Sequence, residues 1–109
     1  MSVIKRAKEV LDIEAGAIRA LKAQVNKNFE KALNLILKTR GRVVVSGMGK
    51  TGIIAQKFSA TLASTGTPSL FLHTAEAIHG DLGKVTGDDT VIILSNSGQQ
   101  EEMKQLLPL

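Results

Sequence analysis

The stretch Gly41-Arg42-Val43-Val44-Val45-Ser46-Gly47-Met48-Gly49-Lys50-Thr51-Gly52 decides the fold. Three consecutive valines between polar neighbours have the length and β-branching of a strand buried on both faces, because a strand with one wet face shows alternation instead. The glycines at 47, 49 and 52 turn the chain sharply, and Ile53 to Leu62 then reads as a helix. Strand, glycine turn and helix in that order open a parallel α/β unit.

Working outward, Gly66-Thr67-Pro68 closes that helix and Ser69 to Leu72 reads as a second strand. Ala75 to His79 reads as a short helix ended by Gly80. Val91 to Leu94 is a third apolar strand running into Ser95-Asn96-Ser97-Gly98, and Gln99 to Leu107 a last short helix against Pro108. Upstream the period changes. Val3, Ala7, Val10, Leu11, Ile18, Leu21 and Val25 fall on one helix face, and Phe29, Leu33 and Ile36 resume it after a break around Asn26–Asn28. The expected organisation is a leading helical segment over residues 1–40 and, over 41–109, an α/β fold: a parallel sheet with helices on both faces. No internal repeat or low-complexity linker interrupts it.

Composition narrows the function. The chain has 109 residues, room for one domain, and no cysteine, which removes disulfides, thiolate zinc sites and cysteine nucleophiles. Charge interrupts every apolar run near the start, and no apolar run approaches the roughly 20 residues of a membrane span, so a cytoplasmic protein without membrane contact is expected. The net charge of +4 raises the question of nucleic acid. Residues 1–40 hold nine Lys/Arg against four Asp/Glu, and residues 41–109 five against six. The excess lies on helices, acids are interspersed and aromatics are scarce, which describes a solvated helix face better than a nucleic-acid surface.

In parallel sheets ligands bind beyond the carboxyl ends of the strands, so the loops after the first and third strands are the places to search. The first, Gly47 to Gly52, fits G-x-G-x-x-G. A Walker A loop needs a further glycine upstream, where valine stands. A dinucleotide loop wants an acid ending the second strand, and none appears before Glu76, so no nicotinamide or other cofactor is called for. What remains is an anion cradle: backbone N–H groups of the Gly47–Gly52 loop at a helix start, with Lys50 as cation. The plainer alternative is a tight turn with a solvent lysine. The second loop places Ser95, Asn96 and Ser97 at a strand end, donors suited to a phosphate monoester, although Ser97 and Gln100 also fit a capping box.

Val44 to Gly52, Ala63 to Pro68, Glu76-Ala77-Ile78-His79-Gly80-Asp81-Leu82-Gly83 and Ser95 to Gly98 occur in the order and spacing of the arabinose 5-phosphate isomerases. The chain resembles this family of sugar-isomerase (SIS) domain proteins over nearly all its length. The resemblance implies a flavodoxin-like fold. It also implies interconversion of ribulose 5-phosphate and arabinose 5-phosphate, on the route to 3-deoxy-manno-octulosonate of lipopolysaccharide and capsule, by a cytoplasmic homo-oligomer. It further implies that Ser95, Asn96 and Ser97 hold the phosphate with the Gly47–Thr51 backbone, and that Lys50, Glu102 and His79 are catalytic. The reading places no metal; His73, with Glu76 and His79, is where one would bind.

Plain alternatives stand beside each role: Glu102 beside Glu101 as a surface charge, His79 before Gly80 as a helix end. The sequence also departs from the family. Gln99-Gln100 replace a glutamate and a small hydroxyl residue, and the family's sheet continues beyond Leu109 with further strands, sometimes followed by regulatory CBS modules. A sheet incomplete in this chain is therefore expected, and a phosphosugar-binding module without turnover is the alternative function.

Overall fold

The structure is a computed structural model describing residues 2–96. The expected helix over Gln99–Leu107, the residues Ser97 and Glu102, and the loop end Gly98 lie outside the described residues. By internal contacts the chain forms two compact units, Met1–Asn34 and Leu35–Leu109.

The first unit is helical. α1 spans Val3–Ala20, opened by Ser2, whose hydroxyl accepts from the Lys5 amide at 3.2 Å. A 3₁₀ turn over Leu21–Gln24 tightens its end. The break falls at Val25-Asn26, where the Asn26 side chain accepts from the Asn28 amide at 2.9 Å and so opens α2, Lys27–Leu37. Neither helix contains a buried residue. No described helix is long and apolar enough to cross a membrane.

The second unit is built on β1, Val43–Gly47, flanked in parallel by β2, Ser69–His73, and β3, Thr90–Ile93, in the order β2-β1-β3. The register sets Val43 beside Ser69 on one side and Thr90 on the other. α3, Gly49–Ser64, connects β1 to β2, and α4, Thr74–Ile78, follows β2 directly. A 3₁₀ turn, Asp81–Lys84, lies between α4 and β3.

The two sheet faces are filled by alternate residues of β1. Val43 and Val45 pack with Ala55 of α3 and with Ile36, Leu62, Phe71, Ile92 and Leu94. Val44 packs with Leu72 and Ala77 of α4, and with Leu70, Ile78, Val85 and Ile93. All three valines are fully buried, which is why their run shows no alternation. Burial of each is worth about 2 kcal/mol. Both faces are covered by helices, as the apolar runs imply.

One boundary differs from the sequence reading. α3 begins at Gly49 and not near Ile53, so Lys50, Thr51 and Gly52 form its first turn. Glycine-rich sequence reads as loop because glycine is a poor helix former, yet Gly49 enters the helix at φ +62°, a left-handed conformation that suits glycine.

The strand starts are tied together by Asp89. Its carboxylate accepts from the Arg42 amide at 2.7 Å and the Thr86 amide at 2.8 Å, and lies 3.7 Å from the Arg42 guanidinium. Arg42 also donates to the Lys84 carbonyl at 2.7 Å. Ser69 donates to the Val43 carbonyl at 2.7 Å, which leaves the Ser59 hydroxyl to donate to Ser69 at 2.7 Å.

Candidate functional site

The strand order places the loops after β1 and β3 side by side, at the point where the chain's crossover direction reverses. The Leu94 amide donates to the Ser46 carbonyl at 2.9 Å, extending the ladder so that Ser95 and Asn96 emerge next to the end of β1. A cleft of about 470 Å³ lies between them, lined by Lys50, Thr51, Ile54, Leu94, Ser95 and Asn96.

The α3 side of this cleft owes its geometry to two glycines in contact. A Cβ on Gly52 would lie 3.0 Å from the Gly47 carbonyl oxygen, and one on Gly47 would lie 3.2 Å from the Thr51 carbonyl oxygen. The first turn of α3 thus sits directly on the strand end, and the Gly52 amide closes the turn on the Met48 carbonyl at 3.1 Å. Met48 precedes the helix in extended conformation, and no side chain among the described residues caps it. The first turn of α3 borders the cleft through Lys50 and Thr51, and brings the positive end of a 16-residue helix to it. Lys50, exposed on the same turn, adds a full charge. Opposite, Ser95 is half-buried and Asn96 exposed. Such a set of groups has the chemistry to hold a small anion.

Of the residues singled out in the sequence, Lys50, Thr51, Ser95 and Asn96 come together, and the Gly47 and Gly49 backbone carries the turn between them. His79 does not join them. It ends α4, exposed, ahead of Gly80 at φ +127°, in the arrangement of an ordinary helix terminus. His73 pairs in register with Gly47, and its Nδ1 accepts from the Ala75 amide at 3.2 Å, opening α4. Its ring meets Phe71 edge-on at 6.4 Å between centroids. Among the described residues no group of three or more His, Asp or Glu is placed to hold a metal ion.

Three features escaped the sequence reading. Ile54 and Leu94 line the cleft, signalled only by positions four after Lys50 and one before Ser95. Ser46 and Thr74, both fully buried, share a hydrogen bond of 3.0 Å that ties the end of β1 to the start of α4. Asp89 gave no signal as one acid in a polar loop; its two backbone partners hold its carboxyl below the usual carboxylate range.

Comparison with known proteins agrees with this fold. Residues 35–109 match the SIS domain family. The arabinose 5-phosphate isomerase KdsD of Pseudomonas aeruginosa is 50% identical over 109 residues, which is 100% of this chain and 33% of that protein. A structure from Escherichia coli CFT073, solved in complex with arabinose 5-phosphate, is 40% identical with a TM-score of 0.83, covering 99% of this chain and 59% of that one. A structure from Bacteroides fragilis NCTC 9343 is 42% identical with a TM-score of 0.88, covering 95% and 55% respectively. The chain spans about a third of the length of the curated relatives it matches.

Proposed function

The chain belongs to the SIS domain family, and from that premise we propose that it acts on a phosphosugar, as part of an aldose–ketose isomerase interconverting ribulose 5-phosphate and arabinose 5-phosphate. The observation that carries this reading is the cleft in which the first turn of α3, with Lys50 and Thr51, meets Ser95 and Asn96. Residues 1–40 serve as the leading helical segment and 41–109 as the first part of the SIS sheet. The relatives named for arabinose 5-phosphate isomerase favour this sugar; the lipopolysaccharide and capsule route and a cytoplasmic location are part of the same proposal.

The phosphate sits on the Gly47, Gly49 and Thr51 backbone and on the hydroxyls and amide of Ser95, Asn96 and Ser97. Isomerisation moves a proton between adjacent carbons through an enediol, with no net change in oxidation level and no cofactor. A positioned base contributes about 10²–10⁴ in rate. Glu102 takes that role, and the Lys50 ammonium faces the oxygen on which negative charge develops. Self-association into a homo-oligomer accompanies the reading, supported by apolar side chains left exposed on α1 and α2.

A phosphosugar-binding module without turnover is the second reading, favoured by His79 standing away from the cleft. Incubating the purified chain with arabinose 5-phosphate and measuring ketose formation separates the two. Turnover that Lys50→Ala abolishes supports the isomerase. A ligand-induced thermal shift without turnover assigns the module. Neither turnover nor shift overturns the phosphosugar reading.

A further inference from the structure

The cleft is built unevenly. Lys50, Thr51, Ser95 and Asn96 give it polar groups, and Ile54 and Leu94 supply apolar lining beside them. Ile54 lies one helical turn beyond Lys50 and so shares its face of α3; it is 61% exposed. Leu94 immediately precedes Ser95 and packs against the cluster of Val43, Val45 and Ala55. An apolar pair adjoining an anion cradle does nothing for a free anion, whose oxygens all seek donors. It suits an anion that carries carbon.

We propose that Ile54 and Leu94 form a wall that selects phosphate borne on an alkyl carbon over free phosphate, making Ile54 a specificity-determining residue; this rests on the phosphate reading of the cleft. Three oxygens of a monoester occupy the α3 turn and the Ser95-Asn96 loop. The ester oxygen then points out of the cradle, and the first carbon of the organic group lies against Ile54 and Leu94. The ligand class is the phosphomonoester of a primary alcohol, in which that carbon is a methylene and bears no hydroxyl. A secondary ester, branched at that carbon, meets the wall less well.

Calorimetric titration of the full chain with inorganic phosphate, methyl phosphate and ethyl phosphate, near pH 8 where all three are mainly dianions, tests the wall without turnover. Each carbon placed on it tightens binding by up to about fourfold. Wild-type protein therefore binds ethyl phosphate most tightly and inorganic phosphate least. Ile54→Ser brings the three to within about twofold of one another and leaves the inorganic phosphate Kd unchanged, and Ile54→Thr, closer in shape, does the same should the serine variant fail to fold. Equal binding of the three by wild-type protein, a preference that survives substitution, or equal weakening of all three overturns the proposal. Wild-type protein that binds none of them overturns the phosphate reading itself, and with it the wall.

Discussion

Asp89 is the side chain whose hydrogen bonds link the fold to acid. Its carboxylate, 2% exposed, accepts two backbone amides and faces Arg42. The charged form is favoured in the folded chain, and the folded-state pKa lies below the unfolded one. At neutral pH the carboxyl is ionised in both states and its stabilisation is complete. As pH falls below about 4 the unfolded carboxyl protonates first, and the advantage is lost progressively until the folded one protonates too. Urea midpoints between about pH 5 and pH 2 are expected to fall more steeply in wild-type protein than in Asp89→Asn, which keeps an acceptor oxygen but carries no charge. Parallel curves would remove the role assigned to this charge. Lys50 acts differently, as an exposed cation placed by the helix start.

Among the elements, α3 decides the most, since its first turn is also one wall of the cleft. Gly52→Ala puts a methyl group 3.0 Å from the Gly47 carbonyl oxygen, an atom of β1 that cannot move without disturbing the sheet. A loss of about 1–3 kcal/mol in unfolding free energy is expected. Gly83→Ala, where the added carbon meets nothing within 4 Å, should stay within about 0.5 kcal/mol. Denaturant titration of both variants makes the comparison, and equal values would show that the crossing is loose. The elements themselves were largely legible. Val43 to Val45 announced a doubly buried strand, because a run without alternation depends on burial on both faces, and Val91 to Leu94 announced its parallel neighbour, although Val91 is 43% exposed. The start of α3 was not legible, since helix propensity at Gly49 to Gly52 is overridden by packing on β1. The Ser46–Thr74 bond joins residues 28 apart and leaves no local pattern. The cleft was half legible: its polar members stand in motifs, whereas Ile54 and Leu94 look like ordinary core.

At the scale of the whole molecule the leading helices matter most, for on α1 and α2 Leu11 is 65% and Phe29 57% exposed and nothing apolar is buried. Exposed apolar positions contribute little to the stability of a single chain and much to association. The double variant Leu11→Ser, Phe29→Ser should sediment as a smaller species than wild-type protein, with a thermal midpoint little changed at concentrations where wild-type protein is monomeric. An unchanged sedimentation coefficient would detach these residues from self-association. The parallel sheet carries a last consequence, in time. β1 lies between its two neighbours but is synthesised before them, and its partners lie 26 residues away at Ser69 and 47 away across the Arg42–Asp89 bridge. Every stabilising pairing of β1 is non-local, which slows folding because the intervening chain loses its freedom before any contact repays it. During synthesis the three valines must stay shielded until β3 has emerged. Under the proposed function, an anion held by both the β1 and β3 loops would join an early strand to a late one, and so would also clamp the longer of the two pairings.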